Sequence, residues 1–375
     1  MRKTLSMAIT NAQGVKIDSK IIVIESDDWG SIRIPNKVVK DKFEKKGYKF
    51  KKNGYYKFDT LANEEDLSRL FSTLLKFKDK NGNHPVITAN TVVANPNFEK
   101  IKHSNYTQYS YKPFTTTLKE YYPSENVFKV WEEGRNAKIF IPQYHGREHV
   151  NVPIWLRELQ ANNQVFLDAF DLGFWGIPKE LYDYKTSNIQ AAYCSNKPEH
   201  IDFYKNSITE GLKLFEEIFG FKSKTFIANN YTWSPKLNQI LYDNGVIGIQ
   251  GMKYQKTPTA EDSGEKLIPL HTGKQNDLGQ IYMVRNCVFE PSQMPKSYNN
   301  IKNCLREIES AFLFKKPAII TSHRLNYIGA ISTDNREINL DMFEKLINKI
   351  LERWPDAIFM TSEQLVNHLR NKQAV

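Results

Sequence analysis

The chain has few cysteines and no long apolar run, and each of these two features excludes some classes of protein. Its three cysteines, Cys194, Cys287 and Cys304, lack the paired spacing of a zinc ribbon or a redox motif, so we expect free buried thiols in a reducing compartment. No run of about eighteen apolar residues, the length that a membrane-spanning helix needs, occurs anywhere in the sequence. We therefore expect no association with a membrane.

The N-terminal segment also lacks the features of an export signal. The stretch MRKTLSMAITNAQG carries basic residues but no apolar run before a small-residue cleavage site, which predicts a cytoplasmic protein. The formal net charge is +10. Such an excess is common in soluble chains of this length and gives no reason to expect a nucleic-acid partner.

What the sequence does contain is enough apolar material for a large core. The 375 residues are 40% hydrophobic and 25% charged, which is compatible with one large α/β domain carrying insertions or with two ordinary domains. Aromatic residues make up 13% of the chain. Most of them are expected in the core, and some in polar segments are expected to line a pocket or stack on sugar rings.

Short apolar runs alternate with helical segments along the whole chain. Each run ends in polar or turn residues, and the runs cover residues 20–25, 85–93, 138–144, 224–230, 246–251, 281–286, 317–323 and 357–362. Helical periodicity marks residues 63–80, 201–220 and 340–354. Alternation of this kind predicts parallel strands with crossover helices, and about seven or eight repeats favour a barrel over an open sheet. We therefore predict one barrel domain over residues 1–375.

Two segments interrupt the alternation, at about 31–60 and 94–137, and we predict that both are excursions from the barrel. The first contains nine lysines between residues 37 and 57, opposed only by Asp41 and Glu44. A solvated amphipathic helix or hairpin is the favoured interpretation, and a groove for an acidic glycan or a nucleic acid is the alternative.

The most informative histidines are His145 and His149 in the sequence YHGREH. They lie four residues apart directly after a predicted strand, and Pro153 then begins a predicted helix. On one helical turn, or in a loop entering a helix, both imidazoles can reach a single metal ion. Solvated or core histidines are the more common outcome for an isolated pair at this spacing, so the argument depends on what lies nearby.

A pair of adjacent carboxylates, Asp27 and Asp28, strengthens the case for a metal. They follow the apolar run KIIVIE, and carboxylates at the end of a buried strand are costly unless a cation compensates them. Asp28 with His145 and His149 would make a three-residue ligand set with open positions, which suits water activation and carbonyl polarisation. Asp27 would then accept a proton. The alternative is a turn or helix cap after the strand.

His323 ends a late apolar run, in the sequence IITSHRLNY. Site residues of parallel α/β barrels gather at the carboxyl ends of strands, so His323 is a candidate general acid for the leaving group. The alternative is a structural histidine.

The order ESDDWG, HGREH, SHRLNY and FMTSEQLVNHL, spanning residues 21–369, resembles the polysaccharide deacetylases, carbohydrate esterase family four with its NodB-homology domain. The resemblance implies a distorted (β/α)₇ barrel and a hydrolase that removes N- or O-acetyl groups from sugars, acting on C–N bonds other than peptide bonds. It implies that Asp27 is the general base, that Asp28, His145 and His149 are the metal ligands, and that His323 is the acid. The partner would be a carbohydrate carrying an acetylated amino sugar. The ligand types favour zinc, and cobalt, nickel or manganese are compatible.

The chain departs from the family pattern at three places. Asn229 and Asn230 stand where the family has the arginine of an Arg-x-Pro motif that orients the base. Arg285, Arg147 or Arg324 could supply that charge from elsewhere. The family's acidic partner for the late histidine has no clear counterpart, and Trp29 occupies the position of a glycine. We expect five residues to contact substrate or tune the site: Trp29, Asn229, Asn230, Arg285 and Arg324.

Two other functions remain open from the sequence. One is a non-catalytic carbohydrate-binding protein on the same barrel, since a fold does not determine an activity. The other is a glycoside hydrolase that pairs Asp27 or Asp28 with Glu148, Glu290 or another acid and needs no metal.

Overall fold

The computed structural model describes residues 10–50, 54–182, 188–259 and 264–373. Residues 1–9 of the N-terminal segment and 51–53 of the lysine-rich segment, on which predictions were made, lie outside the described residues. The strands are β1 Ile21–Trp29, β2 Ile87–Thr91, β3 Ala94–Pro96, β4 Tyr111–Pro113, β5 Phe140–Tyr144, β6 Thr225–Ile227, β7 Gly248–Gly251, β8 Tyr254–Pro258, β9 Glu265–Pro269, β10 Ile281–Val284, β11 Cys287–Val288, β12 Ala318–His323 and β13 Ile358–Met360.

The α-helices surround these strands and mostly connect one to the next. They are α1 Lys37–Lys45, α2 Gly54–Phe58, α3 Glu64–Leu74, α4 Phe98–His103, α5 Phe114–Tyr121, α6 Val127–Asn136, α7 Val152–Gln160, α8 Gln164–Asp171, α9 Pro198–Phe219, α10 Asn238–Asp243, α11 Asn300–Leu313, α12 Thr333–Arg353 and α13 Ser362–Gln373. Short 3₁₀ turns occur at Lys179–Leu181, Asn229–Tyr231, Pro235–Leu237 and Arg324–Asn326.

The main sheet is parallel and follows the order β10, β7, β6, β5, β2, β1, β12, β11, with β13 paired to β1. Its two end strands, β10 and β11, are consecutive in the chain and separated only by Arg285 and Asn286. The Arg285 N–H donates to the carbonyl of Gly251 in β7, and the Asn286 N–H donates to the carbonyl of Ile319 in β12. One stretch of chain therefore links both ends of the sheet, and the described strands form a distorted barrel.

Counting β10 and β11 as one interrupted strand and leaving out β13, which pairs with β1 off the main path, the described barrel has seven parallel members, which confirms the predicted fold class. Each apolar run of the sequence coincides with or overlaps a strand of the main sheet. β1 is buried along its whole length, because the run of β-branched residues before Glu25 has a partner sheet or helix on both faces. Since all barrel strands are parallel, their carboxyl ends meet at one mouth.

The two predicted excursions differ from the expectation. In the first, α1 exposes its lysines and buries Phe43, as an amphipathic helix does, but Arg33, Tyr55 and Tyr56 of the same segment reach the barrel mouth. In the second, β3 and β4 form a separate hairpin, whereas α6 is the crossover helix that leads into β5. Trp131 of α6 is buried in the core against Phe140, so this helix belongs to the barrel.

Within the described part of the chain, every helix is too short or too polar to cross a lipid bilayer.

Candidate functional site

Asp27 and Asp28 both face the barrel mouth, although neighbours in a regular strand point to opposite faces. Asp27 is the last residue of β1 in register with β12, directly opposite His323. At Asp28 the backbone turns to a left-handed φ of 72°, and the register between β1 and β2 shifts between Ser26 and Trp29. This local irregularity turns the second carboxylate back toward the same cavity as the first.

Asp28, His145 and His149 form a buried cluster with the donor set of a metal centre. Asp28 Oδ1 lies 3.3 Å from His145 Nε2 and 3.0 Å from His149 Nε2. Separations of this size are those of neighbouring ligand atoms around one ion with bonds of about 2.1 Å. The helix that follows is fixed by Asn151, whose side chain accepts from the N–H of Ile154 at the start of α7.

Hydrogen bonding in the cluster fits a cation between these atoms. His145 Nδ1 lies 2.9 Å from the carbonyl oxygen of Ile227 and therefore carries the proton, which leaves a lone pair on Nε2 directed at Asp28. Two electron-pair donors facing each other repel unless a positive ion lies between them. The buried Nδ1 of His149 has no partner. The three residues can therefore hold a metal ion, as the sequence predicted for them.

The second oxygen of Asp28 is engaged by an arginine. Arg33 donates from Nη2 to Asp28 Oδ2 at 3.0 Å. Burial favours the neutral form of Asp28, but His149 and Arg33 outweigh it and hold the pKa of this carboxyl well below its usual range. Asp28 is thus an anion whose two oxygens have different partners.

Asp27 is held by Arg285, which is the arginine that the sequence left undetermined. Arg285 donates to both oxygens of Asp27, at 2.7 and 2.6 Å, and also to Glu25 at 2.6 Å. Burial opposes the charge on Asp27, yet Arg285 and the nearby histidines lower the pKa of Asp27 to about 2. Asn90 donates a further hydrogen bond of 2.8 Å to Asp27.

His323 has the acidic partner that the sequence motif lacked. Its Nδ1 is hydrogen-bonded to Glu290, and its Nε2 lies 3.7 Å from Asp27 Oδ2. Burial disfavours the charged imidazolium, but Glu290 and then Asp27 outweigh it and raise the pKa of His323 to about 9. Asn326 fixes the other oxygen of Glu290 with a hydrogen bond of 2.8 Å. His323 is therefore protonated at neutral pH.

These groups share one cavity of about 360 Å³ at the barrel mouth. Asp27, His323, the three ligand residues and Tyr55 all line it. The Tyr55 ring is edge-on to His323, with centroids 5.2 Å apart, and its face is 4.5 Å from the guanidinium carbon of Arg33. This volume is at the lower end for small-molecule sites.

The other predicted site residues divide into two groups. Asn230 lines the cavity, Asn229 Nδ2 lies 3.3 Å from His145 Nε2, and Arg285 holds Asp27. Trp29 and Arg324 are not among the residues that line the cavity, so a role for them in tuning the site stays a prediction. Trp29 is 1% exposed in the core and its ring nitrogen bonds Ser26, because β1 turns at Asp28 and sends the next side chain inward.

Arg324 is also fully buried and lies behind the cavity wall. It bonds Asp59 at 2.8 Å and the carbonyl of Ser31. Asp59 in turn accepts from Arg33 at 2.9 Å. Arg324 therefore reaches Asp28 only through two other side chains.

The sequence offered little sign of several cavity residues. Arg33, Tyr55 and Tyr56 come from the segment that was predicted to be an excursion, and Gln190 comes from an irregular stretch after α8. Trp175 stacks on His149 with centroids 5.6 Å apart and an angle of 18°. A signal was present only in the density of aromatic residues within polar segments.

No protein-family model and no curated protein matches this chain. Solved structures similar to it include two polysaccharide deacetylases, a putative one from Mycobacterium smegmatis and a probable one from Pseudomonas aeruginosa PAO1. Identity is 10% in both, with TM-scores of 0.44 and 0.42, covering 96% and 94% of this chain and 93% and 92% of theirs. An α-amylase from Thermotoga maritima aligns at 8% identity over 94% of this chain and 75% of its own, with a TM-score of 0.43. At such identities a common activity does not follow.

Proposed function

We propose that this chain is a metal-dependent hydrolase that removes acetyl groups from an N-acetylated or O-acetylated sugar. The observation that carries the proposal is the arrangement of one cavity. A buried ligand set, Asp28 with His145 and His149, lies beside an ionised carboxylate, Asp27, and a protonated imidazole, His323. A divalent cation on that ligand set would polarise an acyl carbonyl and make a water molecule more acidic.

The side chains of the chain divide the proton transfers between them. Asp27 is the base, because its charge is fixed by Arg285 and its carboxylate lies at the cavity wall next to the ligand set. His323 is the acid, because Glu290 keeps it protonated and its Nε2 is turned toward Asp27 rather than away from the cavity. A base and an acid within one cavity suit attack by water on an amide and protonation of the departing nitrogen.

The two-carboxylate glycosidase alternative finds less support in the same geometry. Glu290 is bonded to His323 and Asn326, so it is a partner of the acid and not an independent catalyst. Glu148 is buried between Arg147 and Ser207. Such a mechanism would also leave the ligand set without a role.

The test combines metal analysis with acetate release. The purified protein is loaded with zinc, dialysed and assayed for acetate release from N-acetylated and O-acetylated oligosaccharides. Asp28→Ala and His149→Ala should lose both the metal and the activity. Asp27→Asn should keep the metal and lose about 10²–10⁴-fold in rate, as expected for removal of a general base.

The matched control is His103→Ala, which removes an exposed histidine at the end of α4 and should change neither quantity. Turnover by Asp27→Asn at the wild-type rate would refute the role of Asp27. Stoichiometric metal without acetate release would refute deacetylation and leave a metal-binding protein, whereas absence of metal would favour the carbohydrate-binding alternative.

A further inference from the structure

Arg33 is a buried cation that touches the candidate metal ligand and belongs to none of the motifs that the sequence displayed. The residue is 4% exposed. It donates to Asp28 Oδ2 at 3.0 Å and to Asp59 Oδ2 at 2.9 Å, and it is also hydrogen-bonded to Gln190. These three hydrogen bonds, together with the ring of Tyr55 against the face of the guanidinium, fix Arg33 in place.

Aromatic rings and a second arginine hold this contact rigid. The guanidinium carbon of Arg33 lies 4.5 Å from the centroid of Tyr55 and 5.9 Å from that of Trp175. Asp59, the other carboxylate on Arg33, is anchored from behind by Arg324 at 2.8 Å. Arg33 therefore cannot leave Asp28 without disturbing several packed groups.

The two oxygens of Asp28 consequently have separate tasks. Oδ2 accepts from Arg33, while Oδ1 faces both imidazoles at 3.0 and 3.3 Å. A carboxylate held this way offers one oxygen to an ion, whereas a carboxylate without such a partner can also bind through both. The Arg33 guanidinium also places a positive charge close to the position that a divalent cation would occupy.

We propose that Arg33 is a positioning residue that restricts Asp28 to one-oxygen coordination and weakens the affinity of the site for its divalent cation. This inference rests on the metal centre of the proposed function. Two consequences follow from the charge of Arg33. It compensates buried Asp28 when no cation is bound, which stabilises the metal-free protein, and it repels the cation when one is bound. Both effects lower the free energy gained on metal binding.

The experiment compares the wild-type protein with Arg33→Gln, which removes the charge, and Arg33→Lys, which keeps it. Cobalt(II) affinity is measured by competition with a chelator at fixed pH, and coordination is followed by the visible absorption of the bound cobalt. Arg33→Gln should bind cobalt about tenfold more tightly or better. Its absorption should weaken, because a second oxygen from Asp28 raises the coordination number.

Thermal unfolding gives a second readout through linkage. The rise in Tm on adding cobalt should be larger for Arg33→Gln than for wild type, because the metal-free variant loses compensation of Asp28 and the loaded one does not. Arg33→Lys should stay within about threefold of the wild-type affinity.

The matched control is Arg336→Gln. It removes a buried arginine from Asp66, away from the residues that line the cavity, so it should lower stability but leave cobalt affinity and absorption near the wild-type values.

The outcomes distinguish a failure of the metal site from a failure of the role proposed for Arg33. Wild-type protein that binds no cobalt refutes the proposed metal function itself. Bound cobalt with unchanged or weaker affinity in folded Arg33→Gln refutes the role of Arg33. Should that variant not fold, a tenfold change of affinity in Arg33→Lys would refute charge as the controlling property.

Discussion

Replacing Arg285 by methionine tests the part of the site that the sequence could not specify. Arg285 is completely buried and binds Glu25 at 2.6 Å and both oxygens of Asp27 at 2.6 and 2.7 Å. Methionine fills a similar volume but leaves two buried carboxylates facing an apolar side chain. Asp27 keeps Asn90 as a donor, and Glu25 keeps Ser362, so neither is left entirely unpartnered.

The magnitude follows from the cost of breaking a buried ion pair, about 3–5 kcal/mol when one partner is removed. Burial already raises the pKa of Glu25 despite Arg285, so Glu25 can accept a proton in the variant and the loss stays near this single-pair value. A domain is stable by about 5–15 kcal/mol. We therefore expect a marked fall of the urea midpoint in a variant that still folds.

The assay is urea unfolding of metal-free protein, followed by activity of the loaded protein. Arg353→Met is the matched control, since its ion pair with Glu309 is on the surface, with side chains 45% and 42% exposed, and should cost no more than about 1 kcal/mol. Arg285→Met should also lose about a hundredfold in kcat/KM, because Asp27 is no longer oriented. Equal midpoints for the two variants would refute this account of Arg285.

Three further outcomes are expected. The activity should fall as pH rises through about 9, where His323 loses its proton, and Glu290→Gln should move this limb of the pH–rate profile to lower pH; an unmoved limb would contradict the pairing. Because the folded pKa of His323 is raised from 6.5 to about 9, its contribution of about 3 kcal/mol is complete below pH 6.5 and is lost as pH rises through 9, so unfolding free energies of wild type and His323→Gln should converge at high pH. Gly30→Ala should destabilise the protein by more than about 2 kcal/mol, since φ is +80° and a Cβ would lie 2.3 Å from the carbonyl oxygen of Val92. Gly82→Ala is the control, because Gly82 has a φ of +81° and no atom within 4 Å of an added Cβ, so it should show only the backbone cost of about 1–2 kcal/mol. Equal losses of stability in the two variants would contradict the steric clash at Gly30.

The predicted strands were found because the information for them is local. A short apolar run followed by a polar cluster, as before Asp27 or before His145, marks both a buried strand and its carboxyl end. Once the strands are parallel, these ends must share one mouth, so the meeting of Asp28 with His145, 117 residues away, could be expected from the sequence.

The excursions were less predictable for a physical reason. The Lys- and Tyr-rich segment before α3 shows polarity typical of a solvent-exposed insertion, and α1 behaves in that way. Tyr55 of the same segment instead contacts His323, because Asp59 is held between Arg33 and Arg324. Pairings between buried charges leave no periodic pattern in a sequence.

The sequence by itself determined the strands, the polar residues at their carboxyl ends and the residue types of the candidate metal centre, since each is encoded within a few consecutive residues. Only the tertiary structure decided which partners control those residues. Arg285 lies 258 positions from Asp27, and Glu290 lies 33 positions from His323. Such contacts depend on closure of the barrel between β10 and β11, where one short stretch of chain carries Arg285 to Asp27 and places Glu290 beside His323.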